Sequence, residues 1–167
     1  RDFIQPIDVP LNTLVEPPAV LIAFLRNEYS CLLDILIRRS ALDAVGGYEL
    51  AFRNMHEDQV FHAKLCMRFP VFVADNTWCR YRQHPTSFIA KRLSGPLRNE
   101  YRKRFLDWVR QYADEHRVIN PALRATLRSE SFAVAYPRFT HARQRFWKFR
   151  QRLLGRPVPS LPHETEA

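Results

Sequence analysis

The hydrophobic period of this chain changes once, and that change limits the folds open to it. Up to about residue 92 the apolar residues come in short runs parted by turn signals, and from Pro96 onward they recur at helical spacing. "CLLDILIRR" (31–39), "VFVAD" (71–75) and "TWCRYRQH" (77–84) read as short strands, the first of them interior because branched and apolar residues nearly fill it. Between them, "SALDAVGGYE" reads as a helix of one or two turns. Ser40 and Asp43 have capping-box spacing there, and Gly46–Gly47 form the stop. "NMHEDQVFHAKL" opens a second helix, with Asn54 and Glu57 again at capping-box spacing. Val60, Phe61, Ala63, Leu65 and Met67 supply its apolar side, and Pro70 ends it. Strand and helix alternating through 31–82 predict an α/β layer arrangement, a small sheet with flanking helices. Three short strands leave sheet edges unprotected, so this half reads as incomplete.

Prolines 6, 10, 17 and 18 predict an extended approach to this region, followed by a short buried helix at "AVLIAFLRN". Beyond Pro96, an amphipathic helix places Leu97, Tyr101, Phe105, Trp108 and Tyr112 on one face. A second helix has Asn120 as its cap and Pro121 at its first position. A third, residues 138–154, carries an aromatic-rich stripe through Phe139, Phe146 and Phe149 with arginines largely off it. The expected organisation is an α/β part over 1–92, an all-α basic extension over 93–154 and a Pro-rich flexible tail over 155–167.

With 46% hydrophobic and 13% aromatic residues among 167, the chain can bury a core and is no disordered polycation. No run of 18 apolar residues occurs, so no helical membrane span is expected. The opening "RDFIQPIDVP" has neither Met nor an apolar signal core, as expected of a piece of a longer chain. Cys31, Cys66 and Cys79 lack metal spacing and read as reduced thiols, with Cys31 and Cys66 buried, in a cytosolic protein. Residues 1–92 hold eleven Lys/Arg against ten Asp/Glu, whereas 93–156 hold fifteen against five. The net charge of +9 therefore sits in the C-terminal third, and arginine supplies 22 of the 26 cations, which suits phosphate or carboxylate partners.

Taken alone, Glu57 and Asp58 are ordinary first-turn acids at the positive end of a helix. Their setting adds a second reading. "ILIRRSALDAVGGYE", "HEDQVFHAKLCMRFP" and "VADNTWCRYRQHPTS", in this order and spacing, resemble the C-terminal half of family 2 glycosyltransferases with the GT-A fold. The resemblance covers residues 30 to 90 and rests on the order of motifs that are individually short.

The resemblance implies inverting sugar transfer from a nucleotide-diphosphate sugar donor to a saccharide or lipid-linked acceptor. It implies a divalent cation, Mg or Mn, and Asp58 as the base that takes the acceptor hydroxyl proton, with Glu57 fixing the loop. It puts His84 near the donor diphosphate or its metal, as a candidate metal ligand, with Arg82 or Arg80 reaching toward the diphosphate. Ser87 matches the trailing serine of the pattern. Gly46, Gly47 and Tyr48 match the turn that borders the acceptor. Without the resemblance, His84 is a loop histidine, the two arginines are solvated, and the glycines are a helix stop with an aromatic anchor. The implied setting is cell-envelope polysaccharide synthesis at the inner, cytoplasmic face of the plasma membrane.

The chain departs from the pattern in two places. No Asp-x-Asp or Asp-Asp occurs in it, so the donor and metal site is expected outside these residues, and the chain alone is expected to transfer little. The Arg-Trp motif of processive relatives is missing too, which argues against a polymer synthase. The basic stretch 138–154 fits packing on its own domain, contact with an anionic membrane or, with no recognition motif to support it, nucleic acid. The rival reading is therefore a non-catalytic basic module that binds membrane or nucleic acid.

Overall fold

A computed structural model describes residues 8–26, 35–53, 55–76, 78 and 96–139. The chain divides into two compact units, Arg1–Ser131 and Phe132–Ala167. Among the described residues the fold is mixed α/β and mostly helical. In chain order it runs β1 (Thr13–Val15), α1 (Ala19–Arg26), α2 (Arg39–Val45), a 3-10 turn (Leu50–Phe52), α3 (Glu57–Arg68), β2 (Val71–Val73), α4 (Pro96–Glu115) and α5 (Pro121–Ala135).

The first unit is built around α3. All eight residues from Val60 to Met67 are buried, His62 and Lys64 included. A helix lying on a surface buries one stripe. Burial on all sides follows here because α1, α2, α4 and the 3-10 turn all pack against α3. Cys66 is among these residues, and burial pushes its thiol up to about 12, so it is an inert, reduced core side chain.

Strands β1 and β2 pair antiparallel, with Leu14 opposite Phe72 and Val15 opposite Val71. Val15 and Val73 point into the core, while Leu14 and Phe72 lie side by side on the outer face. The expected strand at 71–75 is thus present in shortened form. Its partner comes from the proline-flanked approach rather than from 31–39 or 77–84. Residues 35–38 are not in a strand, and Leu36 is fully exposed. The interior strand expected over 31–39 is therefore corrected across its described part. Its apolar composition reflects Ile37 packing on the α2–α3 contact, with no ladder partner. Residues 31–34 and most of 77–84 lie outside the described residues.

Two cap expectations also shift. Helix α2 starts at Arg39, so Ser40 lies inside its first turn. Asp43 pairs with Arg39 at 3.0 Å and leaves no capping box. The cap of α3 is His56, two residues beyond Asn54, which itself lies outside the described residues. Its expected C-terminal stop holds, with Phe69 at the C-cap followed by Pro70.

Helix α4 buries Arg102, Phe105, Leu106, Val109, Tyr112 and Ala113, whereas Leu97 is exposed and Trp108 half-buried. The buried stripe is rotated from the aromatic one read in the sequence. The smaller Leu106, Val109 and Ala113 sit at the contact, and Trp108 flanks it, stacked on Tyr112 at 5.0 Å and edge-on to Phe52 at 5.9 Å. Helix α5 opens as expected, with the Leu123 N–H donating to Asn120 Oδ1 at 2.9 Å ahead of Pro121. Within the first unit α5 is tied down by side chains. Arg102 donates to the Leu25 carbonyl at the end of α1 (2.7 Å) and to Glu130 (3.4 Å), and Arg110 donates to Ser131 (3.0 Å).

No helix among the described residues is long and apolar enough to cross a membrane.

Candidate functional site

The Glu57–Asp58 pair is set by the residue before it. His56 adopts a left-handed conformation, φ 60° and ψ 15°, which turns the chain abruptly into α3. Histidine visits this region more readily than branched residues do. Its ring stacks on Phe105 of α4 at 5.4 Å with an interplanar angle of 20°. The start of α3 is therefore fixed by a ring held on a neighbouring helix, with no side-chain cap of its own.

Burial, then the nearby Arg102 guanidinium, hold the His56 imidazole below its usual range, against upward pulls from a Gln59 hydrogen bond and the Asp58 carboxylate. His62, one turn further on, is also lowered by burial and raised in part by Asp58. Both rings are consequently neutral at pH 7. Asp58 itself is exposed in the first turn, and its Oδ1 accepts the Gln59 N–H at 2.8 Å. Glu57 is exposed beside it. The positive end of the helix dipole favours both negative charges.

The Gly46–Gly47–Tyr48 turn is anchored to the same helix. Gly46 (φ 73°, ψ 22°) closes α2 by donating its N–H to the Leu42 carbonyl at 3.1 Å, and Gly47 (φ 72°) continues the left-handed path. Tyr48 then lays its ring over Phe61, centroids 4.7 Å apart, while remaining largely exposed. Glu49 Oε1 sits 2.6 Å from Lys64 Nζ, an ammonium with only 2% of its side chain exposed. Arg68 completes the attachment by donating to the Ala44 carbonyl at 2.7 Å. Phe61 is three residues beyond Asp58, so the Tyr48 ring rests on the side of α3 that carries Asp58 at its start.

The structure thus brings Gly46, Gly47 and Tyr48 onto the helix headed by Glu57 and Asp58. His84, Arg80, Arg82 and Ser87 lie outside the described residues, as do residues 140–154. Among the described residues, no group of three or more His, Cys, Asp or Glu side chains could hold a metal ion. Sequence reasoning passed over His56, Lys64 and Arg102. Lys64 had a readable signal, since it is the one Lys or Arg inside "VFHAKLCM", a stretch that is apolar apart from it and His62. No family model, curated protein or solved structure matches the chain.

Proposed function

We propose that this chain is the acceptor-side part of an inverting, GT-A-type glycosyltransferase that moves one sugar from a nucleotide-diphosphate donor to a saccharide or lipid-linked acceptor. The observation that carries the reading is the coupling of two motifs on one helix. The glycine turn and its exposed Tyr48 ring lean on α3, and the same helix presents Asp58 to solvent at its start.

On this reading Asp58 accepts the proton of the acceptor hydroxyl as that oxygen attacks the anomeric carbon. Its exposure in the first turn leaves the carboxylate open to an approaching hydroxyl, as a base must be. The Tyr48 ring offers an aromatic face for a sugar beside it. His56, neutral and stacked on Phe105, keeps the turn before Asp58 in place. Mg or Mn would neutralise charge on the leaving diphosphate. The described residues do not fit such an ion, and the chain has no Asp-x-Asp, so on this reading its ligands lie mainly outside this chain, with His84 as a candidate ligand.

The test is release of nucleoside diphosphate from a panel of nucleotide sugars by a polypeptide carrying this chain together with a donor-binding half, compared with its Asp58→Asn variant. Loss of acceptor-dependent release with folding intact supports the reading. Full activity in the variant overturns it.

A further inference from the structure

In the second unit, three aromatic residues stand on one helical face. Phe132, Tyr136 and Phe139 are spaced i, i+4, i+7, and their exposures are 48%, 58% and 62%. The spacing is helical in fact as well as in sequence. The Tyr136 N–H donates to the Phe132 carbonyl at 2.9 Å beyond the end of α5, and residues 137–139 are again helical. The rings touch one another, Phe132 to Tyr136 at 4.8 Å and Phe132 to Phe139 at 5.8 Å. They form a continuous apolar ridge in place of scattered surface residues.

The sequence around the ridge fixes the sign of its partner. From Ser131 to His163 there is no Asp or Glu, against seven Lys and Arg. One of these, Arg138, is exposed within the ridge itself. Aromatic rings beside an exposed arginine, in a stretch without acidic residues after Glu130, which is itself bonded to Arg102, complement a surface that is anionic outside and apolar just beneath. Single-stranded nucleic acid also offers phosphates, but it needs open ring faces on which bases can stack. Here the rings lie tilted at 40° and edge-on at 88° against each other, so Phe132 is occupied by its neighbours.

We infer that Phe132, Tyr136 and Phe139 form a membrane-docking ridge that enters the headgroup boundary of an anionic bilayer while Arg138 remains at the lipid phosphates. This surface involves none of the residues of the sugar-transfer reading and stands whether or not that reading holds.

The test is co-sedimentation of the full chain with phosphatidylcholine vesicles, with and without one-third phosphatidylglycerol. It includes the variant Phe132→Ser/Tyr136→Ser/Phe139→Ser and the single variant Phe139→Ser, each checked by circular dichroism. The expected result is binding to the anionic vesicles alone, weakened by salt, with at least about a tenfold loss of partitioning in the triple variant. If the triple variant misfolds, Phe139→Ser decides, with about a threefold loss expected. Undiminished partitioning of a folded variant, or equal binding to uncharged vesicles, overturns the inference. Displacement of the chain from vesicles by an oligothymidylate whose own affinity falls in the same variants also overturns it, in favour of nucleic acid.

Discussion

The ammonium of Lys64 lies 2.6 Å from the Glu49 carboxylate, and the two ends of this pair occupy different surroundings. The lysine is 2% exposed and the glutamate 39%. Desolvation therefore falls mainly on the cation, while the anion keeps part of its hydration. The pair joins the chain just after the glycine turn to the middle of α3, so its integrity is coupled to where Tyr48 sits.

That asymmetry predicts unequal effects of removing each partner. Glu49→Gln strands a buried charge and should lower unfolding free energy by about 1–3 kcal/mol. Lys64→Met keeps the volume and removes the charge, and should cost less than about 1 kcal/mol or nothing. Urea denaturation of the two variants measures both. Equal losses would mean that the ion pair is not what holds the turn.

Gly46→Ala isolates a backbone effect. A Cβ at Gly46 would meet nothing within 4 Å, so no clash contributes, and the cost is that of φ 73° for an L-residue. The expected loss is about 1 kcal/mol, with Gly46→Asn costing less because asparagine tolerates this region. A shift in the urea midpoint at unchanged slope checks it.

Stability should depend on pH through His56 and His62. Both are lowered in the folded state, so between that lowered value and 6.5 the unfolded chain binds more protons than the folded one. Their contribution is complete above pH 6.5 and is lost as pH falls through the lowered folded values. His56→Asn, which suits the left-handed backbone, should flatten part of this slope. Urea midpoints at neutral pH and at mildly acidic pH, compared between wild type and variant, give the answer. An unchanged slope would remove His56 from the account.

Asp58→Asn should separate fold from chemistry. The side chain is exposed, and its loss at a helix start should cost under about 1 kcal/mol of stability. In a polypeptide that also carries a donor-binding half, turnover should fall by about a hundred- to ten-thousandfold. Thermal unfolding and diphosphate release, measured on the same preparation, compare the two.

What was legible in the sequence was local. The α1 span, the Pro70 stop, the Gly46 turn and the Asn120–Pro121 start of α5 each follow from a cap or breaker within a few residues. What was missed depends on partners distant in the chain. Strand β1 hides among prolines because its ladder comes from β2, across the whole of α1 to α3. The 31–39 run has strand-like composition, yet its described residues have no ladder partner. Periodicity also favoured the largest rings on α4, while close helix contact selected Leu106 and Val109. At the site, the acid pair and the glycines were readable as motifs. Their coupling was not, because it rests on Tyr48 over Phe61 and Glu49 on a lysine that composition alone assigns to solvent.

The burial of α3 on every side has a consequence for motion. Amide hydrogens from Val60 to Met67 can exchange only when the elements around the helix have come away, so this segment should open last and nearly in step with global unfolding. Asp58 heads that segment. Its carboxylate lies in the exposed first turn, and that turn is thereby tethered to a segment that opens late.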